Sequence, residues 1–489
     1  ESDTSVQGDT ANNEENTAYM ALHSAYLLHS NSTQTPKLFQ DIYRAADKEE
    51  WLAACNRELK SFKDLKVYQL VPLPPGRKAL GVRWVFTVKD SGLKKARLVA
   101  QGFRQKAGID YQETFAPVIR YDSVRIFLAL SAYLHLRVHQ MDVNTAFLNS
   151  RMTDTVYVKQ PPGFLDNRYP DHVWKLTGGM YGLKQAPLLW NRHINSSLTK
   201  LGFARHPSEY GLYYKFTCSG LVLVALYVDD LLLSAPTKEI MQQVKRRLSL
   251  AYSMKDLGPV SKFLGMNVNQ TANGTVHLTL ADYIVKAASL SEVPTHKNVH
   301  TPLSNSVNYF TDKSPLLKSP TPYQSIVGQL LFVANTGRPD IAYSISLLSR
   351  FLKSPRQVHM MAAQRIMQYL YTTRNYGLSY QSTTPLTLAI YSDASYGSVS
   401  DLPLSTGGYI TFLAEGVVSW KSNKIRSVCQ SSTEAEYVAA SDALREMAWI
   451  SNLCDEIRKP LKDKVLYVDN QPAIKIAENP VLHDKIKHI

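Results

Sequence analysis

The stretch LVLVALYVDDLLLSA, residues 221–235, consists of two apolar runs that meet at adjacent acids, Asp229 and Asp230. This pattern predicts a β-hairpin whose tip carries both carboxylates. Two carboxylates at one tip repel each other unless a cation or solvent relieves them. Polar two-residue turns are common in hairpins, so an ordinary turn is the alternative for the pair alone. The flanks, however, are more apolar than those of an ordinary surface turn.

A third acid, Asp142, lies in another apolar strand, HQMDVNTAFL at residues 139–148. Three acids at strand ends can hold two Mg²⁺ ions, because Mg²⁺ prefers oxygen ligands. Such a pair of ions activates a 3′-hydroxyl and a triphosphate leaving group for in-line displacement. The sequence therefore predicts two Mg²⁺ ions at Asp142, Asp229 and Asp230, with Mn²⁺ as a substitute.

Acids also lie at the ends of three predicted elements near the C-terminus, two strand ends and one helix start. The segment YSDASYG ends a strand at Asp393, SSTEAEYVAA opens a helix with Glu434 and Glu436, and YVDN ends a strand at Asp469. Together these acids can converge on two metal ions that activate water against an RNA phosphodiester. Taken alone, Glu434 is an acid of the kind that the helix dipole favours in a first turn.

Composition limits the class of protein. The 489 residues exceed what one hydrophobic core serves and predict three to four globular units. The net charge of +14 suits a polyanionic partner, although a basic solvated surface is the alternative. The four cysteines are scattered, which argues against a disulfide framework or zinc ribbon and favours a reducing compartment. The longest apolar run, residues 221–228, is too short for a membrane span.

The order of predicted elements indicates an α+β fold. Residues 1–36 are polar and are predicted to be a disordered lead-in or the tail of an upstream domain. VRWVFTV and ARLVAQGF predict a hairpin, and helical periodicity follows at residues 123–136 and 187–201. Residues 323–380 are predicted to be mainly helical. From residue 386 onward, strands and helices alternate in a new α/β pattern.

Several blocks carry a resemblance to a known family. The tetrad YVDD at residues 227–230, preceded by QMDVNTAF, resembles motifs C and A of reverse transcriptases. Four further blocks, in this order, resemble the Pol proteins of copia-type LTR retrotransposons, among them the yeast Ty-type elements: KARLVAQGFRQKAGIDYQETFAPV, YVKQPPGF, MYGLKQAPLLW and SKFLGMNV. The resemblance implies a right-hand polymerase followed by an α/β ribonuclease H-like domain. Fingers and palm would span residues 37–269, thumb and connection 270–385, and the ribonuclease H-like domain 386–489.

The resemblance also implies roles for individual residues of the polymerase. Asp142, Asp229 and Asp230 would be the catalytic metal ligands. Lys95 or Arg97 would contact the incoming triphosphate, and Phe147 would crowd a ribose 2′-hydroxyl. Without the resemblance, core packing is the alternative for Phe147 and for Tyr181. The implied nucleotide and template contacts are Tyr181 and Gly182, and the implied primer grip is Leu264 and Gly265.

The C-terminal acids resemble those of the copia-type ribonuclease H domain, with GGYITF and VVSWKS between them. The resemblance implies that Asp393, Glu436 and Asp469 are catalytic and hold Mg²⁺, and the register of Glu-Tyr-Val-Ala favours Glu436 over Glu434. That family places a fourth acid immediately after a Lys-His-Ile segment, and here Lys487, His488 and Ile489 end the sequence. We therefore expect a truncated domain with weakened or no ribonuclease H activity.

The function implied is that of a retrotransposon enzyme, an RNA-directed and DNA-directed DNA polymerase with a ribonuclease H-like domain. Its partners would be an RNA template, a DNA primer, RNA/DNA hybrid, deoxynucleoside triphosphates and other Pol and Gag products of the element, with no membrane. We expect it in cytoplasmic virus-like particles, with later nuclear entry. One alternative is a degenerate, catalytically silent remnant. The other is a non-enzymatic nucleic-acid-binding protein, against which the three polymerase acids count, because buried unpaired carboxylates are a liability without metal.

Overall fold

The structure is a computed structural model that describes residues 35–89, 91–294, 298–304, 306–382, 385–397 and 405–479. Most of the predicted lead-in and the Lys487-His488-Ile489 end lie outside the described residues. Among the residues that are described, no helix is both long and apolar enough to cross a membrane.

Ten α-helices are described in these ranges: α1 (Lys48–Asp64), α2 (Tyr121–Tyr133), α3 (Ala186–Lys200), α4 (Lys238–Ala251), α5 (Ala281–Leu290), α6 (Thr321–Thr336), α7 (Ala342–Ser349), α8 (Gln357–Thr372), α9 (Ser432–Glu456) and α10 (Gln471–Glu478). The strands of the N-terminal half are β1 (Tyr68–Val71), β2 (Val82–Val88), β3 (Lys94–Ala100), β4 (Arg137–Val143), β5 (Tyr157–Val158), β6 (Val173–Leu176), β7 (Ala204–Arg205), β8 (Leu212–Thr217), β9 (Gly220–Tyr227) and β10 (Asp230–Ala235). The remaining strands are β11 (Met254–Pro259), β12 (Lys262–Phe263), β13 (Met266–Gln270), β14 (Val276–Thr279), β15 (Gly377–Tyr380), β16 (Thr387–Ser395), β17 (Thr406–Leu413), β18 (Gly416–Lys424) and β19 (Asp463–Val468).

A six-stranded antiparallel sheet in the order β11-β4-β10-β9-β8-β7 forms the centre of the N-terminal half. Side chains alternate between its two faces, as the pleat requires. Met141 and Leu231 lie in the core on one face, together with residues of α3 and α4. Val138 and Leu232 belong to the core on the other face, which includes most of α2. Because both faces are covered, β9 and β10 are buried almost throughout, which explains their apolar sequences, and the hairpin predicted there is confirmed.

The antiparallel hairpin of β2 and β3 packs on α1. The Trp51 ring of α1 meets the Phe86 ring of β2 edge-on, with centroids 5.4 Å apart. Ala96 and Leu98 of β3 are buried in the same core, so the alternation places Lys95 and Arg97 on the opposite face of the hairpin. The hairpin was predicted from the sequence and is confirmed.

A second antiparallel sheet has the order β12-β13-β14-β15. Strand β15 lies in a region that the sequence predicted as mainly helical, and for this strand the prediction was wrong. Leu378 of β15 pairs with Leu278 of β14, about 100 residues earlier in the chain, and this tertiary pairing decides the conformation. The hairpin of β13 and β14 includes residue 270, where we placed the limit between palm and thumb. The predicted domain limits stay predictions.

The C-terminal sheet has the order β18-β17-β16-β19, in which β16 and β19 are parallel and the other pairs antiparallel. Helix α9 packs across β16 and β17. The sheet is fastened to the N-terminal half by Arg125 of α2, which is buried and donates to the carbonyl oxygen of Val418 at 2.7 Å. Its guanidinium lies over the Trp420 ring, 3.9 Å from the centroid. The fold class predicted from the sequence, α+β, is confirmed.

Candidate functional site

The pairing of β4 with β10 brings two of the three predicted polymerase acids together. Asp230 lies directly opposite Asp142 in the register of these strands, so the two side chains share one face of the sheet. Asp229 precedes Asp230 in the turn, and its carbonyl oxygen accepts a hydrogen bond from the Val143 amide at 2.8 Å. The end of β4 is thereby fastened to the turn that carries Asp229.

That turn is tight and conformationally unusual. Tyr227 pairs with Asp230, which leaves Val228 and Asp229 as a two-residue turn. Val228 has a φ of 53°, in a left-handed region that β-branched residues rarely adopt. The indole nitrogen of Trp190 donates to the Val228 carbonyl at 2.6 Å and holds it there. Strained backbone of this kind clusters at functional sites.

Burial and mutual repulsion perturb the acids. Burial, together with the charges of Asp229 and Asp142, raises the pKa of Asp230 to about 7. The Gln140 amide opposes this shift by donating to the Asp230 carboxylate at 3.4 Å. Burial and the Asp229 charge also raise the pKa of Asp142, against the nearby cations Lys95, Lys89 and Lys255. Carboxylates that repel one another in a half-buried site fit a divalent cation, which would relieve them.

The cations predicted to contact a triphosphate face these acids. The pKa of Lys95 is lowered by burial and by the charges of Arg97 and Lys89, while Asp142 and Asp229 oppose the shift. The Arg97 guanidinium lies 5.3 Å from the centroid of the Tyr181 ring, and its buried Nε has no hydrogen-bond partner in the structure. The structure therefore places both Lys95 and Arg97 at the site. A buried donor without a partner is available to an anionic ligand.

The aromatic residues of the site form one cluster with these cations. The Phe147 ring meets the Tyr181 ring edge-on, with centroids 5.0 Å apart. The Tyr181 carbonyl accepts from the Ala100 amide at 2.8 Å, which docks this segment on the end of β3. Gly182 has a φ of 88°, and a Cβ there would collide with the Ala100 carbonyl. Only glycine allows this approach of backbone to backbone.

The predicted primer grip lies in a different sheet. Leu264 and Gly265 form the two-residue turn between β12 and β13, with φ values of 50° and 82°. A turn with both residues left-handed matches the twist of a hairpin and favours glycine. The segment that leads into β12 is attached to β4, because the Val260 amide donates to the Val138 carbonyl at 3.1 Å. The turn thus belongs to a sheet that is attached to the strand carrying Asp142.

The three predicted C-terminal acids form a compact group. Ligand oxygens of Asp393, Glu436 and Asp469 all lie within 4.8 Å of one another, and no other group of three or more acids, His or Cys residues among the described residues meets this limit. The Asp142, Asp229 and Asp230 group is therefore more open. Glu436 is buried and its Oε2 has no hydrogen-bond partner. Burial and the charges of Asp393 and Asp469 raise the pKa of Glu436, and a divalent cation bound by the three carboxylates would relieve this repulsion.

The neighbouring acid, Glu434, has a different environment. Its carboxylate accepts from the Gln430 amide at 2.6 Å, while its own amide donates to the Ser431 side chain at 3.2 Å. These hydrogen bonds cap the start of α9, which is a common role for an acid in the first turn of a helix. The geometry therefore brings Glu436, and not Glu434, into the acidic group.

Residues that the sequence did not single out also lie at the polymerase acids. Lys255 of β11 lies directly opposite Asp142, on the side away from Asp230. Gln140 donates to the Asp230 carboxylate, and Trp190 donates to the Val228 carbonyl. The sequence signal for Lys255 is weak, because its place depends on which strand pairs with β4.

Comparison with known proteins identifies the family. Residues 65–305 match the family model described as reverse transcriptase (RNA-dependent DNA polymerase). A putative transposon Ty5-1 protein of Saccharomyces cerevisiae is 58% identical over 308 residues, which cover 63% of this chain and 100% of the relative. The chain belongs to the reverse transcriptase family of retrotransposon Pol proteins. The resemblance to copia-type elements and yeast Ty elements is thereby confirmed.

Other relatives of this chain are longer. The retrovirus-related Pol polyprotein from transposon RE1 of Arabidopsis thaliana is 38% identical over 91% of this chain, which spans 31% of that polyprotein. A solved structure of a foamy viral protease-reverse transcriptase in complex with RNA/DNA hybrid has a TM-score of 0.47 and 13% identity, covering 88% of this chain and 50% of that one.

Proposed function

We propose that this chain is the RNA-directed and DNA-directed DNA polymerase of a retrotransposon, which copies element RNA into DNA. The observation that carries the proposal is the register of β4 and β10, which sets Asp142 opposite Asp230 with Asp229 in the adjoining turn. The cations Lys95 and Arg97 on the neighbouring hairpin face the same site. Acids beside cations are what a nucleotidyl transfer site needs, because it must hold both metal ions and a triphosphate.

In the proposed mechanism, Asp142, Asp229 and Asp230 would hold two Mg²⁺ ions, with Mn²⁺ as a substitute. Divalent cations held there would supply Lewis-acid activation of the primer 3′-hydroxyl and neutralisation of charge on the leaving pyrophosphate. Lys95 and Arg97 bind oxygens of the deoxynucleoside triphosphate through charge-assisted hydrogen bonds.

The residues around the acids position the substrates. The edge-on contact with Tyr181 fixes the Phe147 ring, which can then crowd a ribose 2′-hydroxyl. Gly182, where a Cβ would strike the neighbouring strand, lets Tyr181 pack close to the nucleotide and template. The turn at Leu264 and Gly265 would hold the primer strand.

A second activity is proposed for the C-terminal acids. Asp393, Glu436 and Asp469 would hold Mg²⁺ and cleave the RNA strand of an RNA/DNA hybrid, as a ribonuclease H does. The observation that favours this activity is the closeness of the three carboxylates, with a buried Glu436 oxygen that has no partner.

We place these activities in cytoplasmic virus-like particles, with later nuclear entry, alongside other Pol and Gag products of the element. Membership of the retrotransposon Pol family supports this proposal. The net charge of +14 supports nucleic-acid partners.

Primer extension tests the polymerase proposal. We expect the protein to extend a DNA primer on an RNA template with Mg²⁺ and deoxynucleotides. The variant D229N should abolish extension while template binding stays nearly unchanged, because only metal coordination is removed. A wild-type protein that binds template but never extends a primer would contradict the proposal and favour a degenerate remnant or a non-enzymatic nucleic-acid-binding protein.

A further inference from the structure

A buried tryptophan is hydrogen-bonded to the turn that carries Asp229. Trp190, His193 and Ser197 follow one another at helical spacing in α3 and share one face of it. Tyr252, which follows α4, packs on that face. Its ring meets the Trp190 ring edge-on, with centroids 5.4 Å apart, and its hydroxyl shares a hydrogen bond of 2.5 Å with the Ser197 hydroxyl. The position of the Trp190 indole is therefore fixed by its neighbours.

The hydrogen bond of this indole ends one peptide unit before a candidate metal ligand. The indole nitrogen donates to the Val228 carbonyl at 2.6 Å. That oxygen belongs to the planar peptide unit that joins Val228 to Asp229, so holding it fixes the plane from which Asp229 continues. The carbonyl of Asp229 itself accepts from the Val143 amide at 2.8 Å. Asp229 is therefore held through both of its peptide units, once to α3 and once to the strand that carries Asp142.

The turn needs this support because its first residue is poorly suited to it. Val228 has a φ of 53°, where a β-branched side chain is crowded by the backbone. Glycine is the residue that ordinarily takes a left-handed first position in a two-residue hairpin turn. One hydrogen bond shifts a conformational equilibrium by about 2- to 10-fold. Without the Trp190 donor, the turn would therefore leave the conformation that presents Asp229 for a measurable fraction of the time.

We propose that Trp190 is a positioning residue of the polymerase: through the Val228 carbonyl it holds the turn in the conformation that presents the Asp229 carboxylate beside Asp142 and Asp230. This inference rests on the proposed polymerase function and adds to it the residue that keeps a metal ligand in place. Trp190 acts through the backbone of the turn, so its loss should weaken metal binding without removing a ligand. Glycine at position 228 would make the hydrogen bond unnecessary, because glycine adopts left-handed conformations without a steric penalty.

A double-mutant cycle tests the proposal. The variants are W190F, which keeps an aromatic ring but loses the donor, V228G, which removes the strain, and the combination of both. The control is W420F, because the Trp420 indole also donates to a backbone carbonyl, that of Ala334 at 2.9 Å, where the C-terminal sheet meets α6. Two quantities are measured for each protein. One is hydrogen exchange at the Val143 amide in the metal-free protein, and the other is the Mg²⁺ concentration that gives half-maximal primer extension.

We expect W190F to speed exchange at Val143 and to raise the half-maximal Mg²⁺ concentration, each by about 2- to 10-fold, the range for one lost hydrogen bond. In the V228G background the same change should have less than about a twofold effect, and W420F should leave both quantities unchanged.

Equal effects of W190F in the two backgrounds, or equal effects of W190F and W420F, would overturn the proposal, because they would indicate a general loss of packing. An unchanged Mg²⁺ requirement in W190F would overturn it as well. Hydrogen exchange needs neither metal nor substrate. A wild type that fails to extend a primer would therefore contradict the polymerase function, while exchange at Val143 would still decide whether Trp190 holds the turn.

Discussion

Replacing Asp230 with asparagine should stabilise the metal-free protein at alkaline pH while abolishing primer extension. In the wild type, burial and two neighbouring acids raise the pKa of Asp230 to about 7 from its usual 3.8. The ionised carboxylate is therefore less stable in the folded protein than in the unfolded chain. Asparagine has a similar shape, keeps a hydrogen-bonding group and carries no charge, so the variant avoids this cost.

The sign and size follow from proton linkage. A carboxyl whose pKa is raised on folding leaves the protein most stable below pH 3.8, and stability is lost as pH rises through about 7. Each tenfold change in the dissociation constant is worth about 1.4 kcal/mol, which gives an upper limit of about 4 kcal/mol at pH 8. Solvent screening at this half-buried group reduces the value, so we expect about 1–3 kcal/mol.

Thermal unfolding in a chelator, at pH 5 and pH 8, measures the effect. At pH 8 the N-terminal half of D230N should unfold a few degrees above the wild type, and the difference should shrink at pH 5. The control is D256N, in the same sheet, because Lys245 donates to the Asp256 carboxylate at 2.6 Å and the pKa of Asp256 is lowered. That variant should be less stable than the wild type at pH 8. If D230N is no more stable than the wild type at pH 8, the ionised Asp230 carboxylate does not destabilise the metal-free protein, and our interpretation of the acids as a cation site is wrong.

Four further outcomes are expected. The Mg²⁺ concentration for half-maximal extension should fall as pH rises through about 7, where Asp230 ionises. The variant Gln140→Leu should move this transition to higher pH, because the Gln140 amide favours the ionised form of Asp230. A transition at the same pH in the variant would contradict the role of Gln140. Phe147→Val should raise kcat/KM for ribonucleotides relative to deoxynucleotides by at least about tenfold in single-nucleotide incorporation. Gly182→Ala should lower kcat/KM for incorporation by about tenfold or more, because its Cβ would displace the end of β3, and unchanged kinetics would refute this account. Glu436→Gln should abolish Mn²⁺ binding at the C-terminal acids, measured by electron paramagnetic resonance of bound Mn²⁺, and leave primer extension unchanged.

The acids themselves could be found in the sequence because their signals are local. The apolar runs around Asp229 and Asp230 predict strands without knowledge of their neighbours, and the structure has a hairpin there. The choice of Glu436 over Glu434 also used local register, and the capping hydrogen bonds of Glu434 agree with it.

Features that depend on strand pairing could not be predicted in this way. The position of Lys255 opposite Asp142 requires that β11 pair with β4, with a shift in register between Asp256 and Gly258. Sequence periodicity fixes which residues share a face, but it does not say which strands are neighbours. Strand β15 was missed for the same reason, because its partner β14 is about 100 residues distant.

The two candidate metal sites also differ in how far the fold pre-organises their carboxylates. Asp393, Glu436 and Asp469 come from three elements of one sheet-and-helix unit, and their oxygens already lie within 4.8 Å of one another. The polymerase acids are more open, and the cations that face them belong to a hairpin with its own core around Trp51 and Phe86. A site assembled from two separately packed units can adjust when a triphosphate binds, whereas carboxylates fixed within one unit cannot adjust as far. We therefore expect the C-terminal acids to bind Mn²⁺ without nucleic acid, and the polymerase acids to gain affinity for Mn²⁺ once a primed template and nucleotide are present.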